Sequence, residues 1–428
     1  MAKKIFKKCV SCGESFSSDD KDTILFKFET DNGETVRLCS NCIKKCQEIF
    51  TNKIKQDKIK ELGENPMDMT PQEIKNKLDE WVLDQDLALK RISKEYYNHL
   101  KRLRRFDMDP EANKRLRVDK SNMIYCGPTG TGKTEAIRAL ASFMDLPYVI
   151  EDSSGFTSAG FVGRDVDEIL KDLLDAADGD LERAQRGIVF LDEFDKIKKT
   201  TGNRSNKDIS GESVQQALLR LIEGGTHKVK KDKQTSATMD FNTDNVLFIA
   251  GGAFVGLEKI IANRLNKEGG AAKVGFGAAL EKEQEQMYNE LIVQVKPEDF
   301  MEFGLIPEAM GRFPTLVPFK DLSVETLENI LTVPKHAIIK QFKEMYKFNS
   351  NVDLEFTDNA IRKIAELAKA KKIGARGLRS VIEEVLDEVG YLYPTEVEKG
   401  LEKVLIKDDL SYEFVYGEEE ELAESESE

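Results

Sequence analysis

One run constrains this chain more than any other: Gly127-Pro128-Thr129-Gly130-Thr131-Gly132-Lys133-Thr134, a complete G-x-x-x-x-G-K-[ST] sequence. It follows the short apolar stretch Met123-Ile124-Tyr125-Cys126 and opens a helical pattern, so it reads as strand, glycine loop, helix. Without side chains in the way, successive backbone N–H groups of such a loop can point at phosphate oxygens, and the following helix adds its positive end. The pattern assigns Lys133 to the β- and γ-phosphates and the Thr134 hydroxyl to Mg²⁺. Glu135 offers its backbone N–H to the α-phosphate.

A second element completes the chemistry. Gly187-Ile188-Val189-Phe190-Leu191-Asp192-Glu193 is a buried-strand pattern ending in two acids, some sixty residues downstream. One carboxylate, Asp192, balances the metal; the other, Glu193, orients and polarises the attacking water. Val246-Leu247-Phe248-Ile249-Ala250 is a further short apolar run. Such strands alternating with helices predict an α/β fold with a parallel sheet.

The flanks differ from this centre. Of six cysteines, five fall within the first 46 residues. Cys9-Val10-Ser11-Cys12 and Cys39-Ser40-Asn41-Cys42 form two CxxC knuckles around a predicted hairpin, Leu25–Phe28 with Thr35–Leu38, and helical character follows from Ile43 to Ile54. Four thiolates in that arrangement suit tetrahedral Zn²⁺, which a module this small needs in order to fold. Cys46 is a spare thiol or backup ligand, and Cys126 a packed core residue. A Lys/Gln/Asp-rich linker precedes Thr70-Pro71-Gln72-Glu73, a capped helix start. Glycines at 269, 270, 275 and 277 predict an exposed mobile loop over 265–290. From about 321 to 392 the pattern is helical, with Ile361, Ile364, Ala365 and Ala368 on one face, and Val404–Ile406 with Phe414–Tyr416 suggests a terminal hairpin.

Charge narrows the partners. Net charge is −14, and Glu418, Glu419, Glu420, Glu421, Glu424, Glu426 and Glu428 supply seven of those charges in a tail too polar to bury. The mildly acidic remainder argues against nucleic acid as a ligand. Lys101, Arg102, Arg104 and Arg105 make one basic cluster, read as a solvated helix face. No apolar run is long enough to span a membrane, and no h-region follows the basic N-terminus, so the expected location is cytoplasmic.

Together these residues resemble the ClpX family of zinc-containing AAA+ unfoldases, over nearly the whole chain. Asn98–Leu103, Ala184–Val189, Ser213–Gly224, Gly251–Phe254, Phe303–Glu308 and Gly374–Arg379 carry the likeness besides the phosphate loop and the two acids. The resemblance implies an AAA+ P-loop fold with a parallel sheet, a small C-terminal helical domain and a treble-clef-like zinc module. It implies a zinc-binding dimerisation module at 1–54, a linker at 55–70, a large ATPase domain at 71–320, a small domain at 321–416 and an acidic tail at 417–428. By residue type alone Arg312 and Arg376 are surface or salt-bridge arginines. The family makes Arg312 a finger acting on a neighbouring subunit's ATP and Arg376 a sensor of nucleotide state.

Other roles carry over by position. Gly160-Phe161-Val162-Gly163 stands where the family has its aromatic pore loop, with Phe for the usual Tyr, and Lys207–Glu212 resembles a second pore loop. Val274-Gly275-Phe276 resembles the tripeptide that docks the ring on the ClpP peptidase, with Val for Ile, and Cys9, Cys12, Cys39 and Cys42 match the zinc ligands. The implied protein is a homohexameric, ATP- and Mg²⁺-dependent unfoldase that feeds a ClpP-type peptidase, with protein substrates and adaptors as partners and neither nucleic acid nor membrane. The alternative is a remodelling chaperone that works without a peptidase. HslU and DNA-acting AAA+ proteins are less well matched: the cysteine module speaks against the first, the acidic balance against the second. Departures from the family are a longer Cys12–Cys39 spacer, Asp84 for Gly near the adenine, Arg164 for an acid after the pore glycine, and a Lys-rich Gly225–Phe241 segment without an Arg-Lys-His triplet.

Overall fold

The computed structural model describes residues 7–16, 24–29, 35–46, 69–108, 116, 118–144, 146–157, 164–199, 211–230, 238–267 and 281–417. Two units emerge, Met1–Met69 and Thr70–Glu428. The linker up to residue 68, Phe161 and Val162, Val274-Gly275-Phe276 and the acidic tail from Glu418 lie outside the described residues, as does most of the second pore-loop match.

In the first unit, Lys7–Lys8 pairs antiparallel with Ser15–Phe16, and Leu25–Glu29 pairs antiparallel with Thr35–Cys39. A helix starts at Ser40, three residues before the point the sequence suggested. Turn, hairpin and helix start each present cysteines to one small core of Cys9, Cys39 and Cys42.

The second unit begins with helix α1 (Pro71–Asp79), capped as its sequence predicts: the Thr70 hydroxyl accepts from the Glu73 N–H at 3.3 Å, and the Thr70 N–H donates to Glu73 Oε2 at 2.7 Å. Helix α2 (Asp86–Met108) follows. Five strands then build the central sheet: β1 (Met123–Cys126), β2 (Tyr148–Asp152), β3 (Ile188–Asp192), β4 (Leu247–Gly252) and β5 (Thr315–Pro318), in spatial order 5-1-4-3-2. Every pairing is parallel. β1 and β4 are buried along their whole length, as helix-covered parallel strands must be. β2 and β5 escaped the sequence reading because their apolar runs are only two or three residues long, Tyr148-Val149-Ile150 passing at once into Glu151-Asp152 and Leu316-Val317 standing between Thr315 and Pro318. Helices α3 (Lys133–Met144), α4 (Glu168–Ala176) and α5 (Gly211–Glu223) cover the sheet. The Lys-rich stretch forms an antiparallel hairpin, Thr226–Lys230 with Thr238–Asn242.

Two expectations need correction. Of the loop expected over 265–290, residues 265–267 belong to the helix Leu257–Lys267, 268–280 lie outside the described residues, and Glu281–Ile292 is a helix and not a loop. Its residues are good helix formers, and Met287, Tyr288, Leu291 and Ile292 pack against the core, which outweighs the glycines upstream. The basic cluster is not uniformly solvated either. Arg102 is buried, donating to the Asp244 carbonyl and, at 3.0 Å, to Asn245 Oδ1, because its place on α2 turns it under the β4 approach.

The small lobe contains α6 (Val324–Thr332), α7 (Ile338–Ser350), α8 (Asp358–Ala370) and α9 (Arg376–Val397) around its own apolar core. Ile364, Ala365 and Ala368 are fully buried there, as their spacing predicts. The terminal hairpin, Leu401–Ile406 with Tyr412–Tyr416, gains a third strand unseen in the sequence: Asp353–Phe356 lies parallel to the first. Among the described residues, no helix is long and apolar enough to cross a membrane.

Candidate nucleotide site and cysteine centre

The glycine loop leaves the carboxyl end of β1, the two acids stand at the end of β3, and Gly252-Ala253 ends β4. Parallel α/β sheets place their ligand crevice at this edge. A cavity of 480 Å³ opens there, within the range that takes a small-molecule ligand. It is lined by Thr129 to Glu135, Asp192 and Glu193, and by Arg376 at the start of α9. Gly127 and Pro128 contribute through their carbonyls, which accept from Lys133 Nζ at 2.7 Å each.

The donor set fits a phosphate chain with Mg²⁺. Lys133 is buried with only neutral loop carbonyls as hydrogen-bond partners, which leaves its charge to be matched by an anion. Burial pushes its ammonium down to about 8, against the upward pull of Asp192; the nearby Arg376 guanidinium adds to the depression. Thr134 Oγ1 donates to Asp192 Oδ2 at 3.3 Å, so hydroxyl and carboxylate converge where the sequence assigns the metal. Glu193 takes the left-handed conformation, φ 53°, and its N–H donates to Asp192 Oδ1 at 2.9 Å. A non-glycine residue in that region stores strain, which here turns the carboxylate into the cavity mouth and away from the strand line.

The glycine loop and the Arg376 loop meet backbone to backbone. The Ala375 N–H donates to the Gly130 carbonyl at 3.0 Å. Gly374 has φ +60°, and a Cβ there would sit 2.5 Å from the Thr129 carbonyl oxygen. Only glycine fits such an approach.

The opposite wall joins the two lobes and was largely missed in the sequence. Trp81 and Val82 come from the α1–α2 connection; Ile330, Pro334 and His336 come from the small lobe. The Trp81 and His336 rings are 4.6 Å apart between centroids, and the Lys335 N–H donates to the Glu80 carbonyl at 3.2 Å. A signal existed in that Trp81, the chain's single tryptophan, precedes the Val82–Gln85 stretch placed near the adenine by resemblance. Nothing of the kind marked His336. Asp84 has φ 56° and so holds the left-handed conformation that Gly would adopt freely and that Asp tolerates. Its carboxylate accepts from Thr326 Oγ1 on α6, adding a bridge between the lobes. Asp195 was also passed over, although it follows the two acids; it is buried and accepts from the Ala253 N–H at 3.3 Å.

Arg312 is not among the residues lining this cavity. It ends the helix Pro307–Arg312, half exposed, and donates to Glu223 Oε1 at 2.8 Å.

In the first unit the sulfurs of Cys9, Cys12, Cys39 and Cys42 all lie within 4.8 Å of one another. Cys12 Sγ and Cys39 Sγ are 3.9 Å apart, close to the ~3.8 Å edge of a tetrahedron with Zn–S bonds of ~2.3 Å. The backbone N–H of Cys12, with those of Cys39 and Ser11, draws the Cys9 thiol down to about 6 against the opposing effect of burial, whereas at Cys12 and Cys39 the backbone N–H groups are outweighed by burial and the neighbouring sulfurs, which move those two thiols up. This is the one such cluster among the described residues. Cys46 is exposed and outside it, while Cys126 is buried in β1, its thiol pushed up to about 12 by that burial.

A family described as AAA domain (Cdc48 subfamily) matches residues 118–316, and one described as the C-terminal, D2-small domain of ClpB protein matches 322–391. The ATP-dependent Clp protease ATP-binding subunit ClpX of Treponema denticola is 39% identical over 403 residues, covering 93% of this chain and 92% of that protein. The chain belongs to the ClpX family. Two further ClpX proteins agree: that of Azotobacter vinelandii is 40% identical over 85% of this chain and 83% of its own length, and ClpX 3 of Methylococcus capsulatus is 39% identical over 84% of each. The ClpX assignment makes this an AAA+ ATPase.

Proposed function

We propose that this chain is an ATP-driven protein unfoldase and translocase that works as a homohexamer and passes substrates to a ClpP-type peptidase. One observation carries the reading: a cavity with Lys133, Thr134, Asp192, Glu193 and Arg376 around it, built across two lobes, while Arg312 lies elsewhere on the same chain. A catalytic cation missing from its own site is naturally supplied by the neighbour, which puts ATP at subunit interfaces and couples hydrolysis to assembly.

In this reading Thr134 and Asp192 hold Mg²⁺, which neutralises charge on the phosphates. Lys133 grips the β- and γ-phosphates, and Glu193 aligns the attacking water. Arg376 opens α9 and reports nucleotide state to the small lobe. Phe161 and Val162 grip the substrate chain by apolar contact. Val274-Gly275-Phe276 docks the peptidase, each contact weak and the ring making them add. Cys9, Cys12, Cys39 and Cys42 bind structural Zn²⁺ in a dimerisation module over 1–54, a linker at 55–70 leads to the ATPase domain at 71–320, and the small domain runs over 321–416 ahead of the acidic tail. Adaptors and protein substrates are the partners, in the cytoplasm; nucleic acid and membranes are not.

The test is a Glu193→Gln chain. It binds ATP with Mg²⁺, forms hexamers and holds substrates from native lysate without turnover. Rapid hydrolysis by that variant, or a wild-type chain that stays monomeric with ATP and Mg²⁺, refutes the reading. Deleting Val274-Gly275-Phe276 spares ATP hydrolysis and abolishes peptidase-linked degradation; unimpaired degradation removes the docking role.

A further inference from the structure

Arg164 is the first described residue after segment 158–163, and its guanidinium is held on several sides. It pairs with Glu151 on β2, with Glu168 at 3.3 Å and with Asp172, both of these on α4. It also lies over the ring of buried Phe156, 5.8 Å from the centroid. Phe156 and Thr157, which precede the segment, pair in parallel with Arg164 and Asp165, which follow it. One side chain therefore fastens both ends of the segment to a strand and a helix of the ATPase core.

The strand is informative. Glu151 and Asp152 lie in register beside Leu191 and Asp192 of β3, so the anchor point is one strand away from the catalytic acids. Glu151 is buried, which raises its carboxyl pKa, and the Arg164 guanidinium against it opposes that shift and favours the charged form. A guanidinium can serve three carboxylates at once through its fork of five donors; an ammonium, a point charge, cannot hold the same geometry.

We propose that Arg164 is a positioning residue that clasps the ends of segment 158–163 to β2 and α4, so that displacement of β3 reaches that segment through side chains as well as along the main chain. The consequence for substrate grip rests on the assignment of Phe161 made above; the clasp itself does not.

The test is hydrogen–deuterium exchange on the full chain in the Glu193→Gln background with ATP and Mg²⁺. Arg164→Ala speeds exchange of the amides at 156–157 and 164–166 by about tenfold or more, while 188–192 and 127–134 change by less than about twofold. In the otherwise wild-type chain, basal ATP hydrolysis stays within about twofold, and Arg164→Lys gives intermediate exchange. Unchanged exchange at 156–166 overturns the clasp, and so does an increase spread equally over 188–192, which marks general loosening. Should Arg164→Ala not fold, Arg164→Ala with Glu151→Gln removes the stranded carboxylate and is read the same way. Full unfolding activity in Phe161→Ala would end the grip assignment and leave the exchange result standing; flat exchange ends the clasp whatever Phe161 does.

Discussion

Lys133 makes nucleotide affinity a function of pH, with a sign that can be worked out in advance. Its ammonium is buried against neutral carbonyls and loses its proton at about 8 instead of 10.5 in the nucleotide-free chain. Phosphate beside it favours the charged form, so the bound state keeps the proton and binding above pH 8 takes one up. Between pH 8 and 9.5 the protonated fraction of the empty site falls from about one half to about 3%, so affinity weakens about sixteenfold, or ~1.6 kcal/mol. That window lies above the last phosphate ionisation of the nucleotide, which keeps the ligand constant. Isothermal titration in two buffers of different ionisation enthalpy reads both quantities. Proton uptake should rise from about one half at pH 8 toward one at pH 9.5, and Lys133→Met should bind weakly with no slope. The stability of the empty chain moves the other way: the unfolded lysine holds a proton that the folded one has released, so stability rises between about 8 and 10.5. Flat affinity from pH 8 to 9.5, or net proton release on binding, would refute the argument.

Three other outcomes follow from the geometry. Gly374→Ala forces a Cβ to within 2.5 Å of the Thr129 carbonyl oxygen and should weaken nucleotide binding by about tenfold while the fold persists; unaltered binding by titration would show that the two loops part freely. Arg312→Ala and Glu193→Gln should each be inactive alone, yet regain ATP hydrolysis when co-assembled, because a mixed interface joins a sound Glu193 to a sound Arg312; no recovery in mixed rings would place Arg312 in its own chain's site. Cys39→Ser should lower bound zinc from one ion per chain and expose the amides of 25–29 and 35–39 to exchange without altering ATP binding; full zinc content by elemental analysis would mean that Cys46 or another donor replaces it.

What could be read from the sequence follows from how local each device is. The phosphate loop, the acid pair and the four cysteines are legible because their chemistry demands particular residues at short, fixed spacings. Thr134 and Asp192 lie 58 positions apart and meet at 3.3 Å, yet each belongs to a motif that announces itself. Trp81 and His336 belong to none: they are 255 positions apart, and only the closure of one lobe on the other brings their rings to 4.6 Å. Arg164 shows the same limit differently. Against a local pattern it reads as a reversed charge, but Glu151, Glu168 and Asp172 supply the opposite charges in space.

That distribution of legible and hidden residues has a physical basis. Residues that touch phosphate and metal face a ligand of fixed shape, so few side chains will serve. Residues that join one lobe to the other need only complement each other, and many pairs can do so. Asp84 is such a case: its left-handed backbone meets the demand that Gly would meet, and its carboxylate then uses Thr326 across the lobes. Gln85 extends the junction, donating to the Lys320 carbonyl and accepting from the Lys320 N–H, both at 2.9 Å, at the residue where one lobe passes to the next. Segment 81–85 therefore takes part in both: Trp81, Val82 and Leu83 line the cavity, while Asp84 and Gln85 hold part of the joint between the lobes.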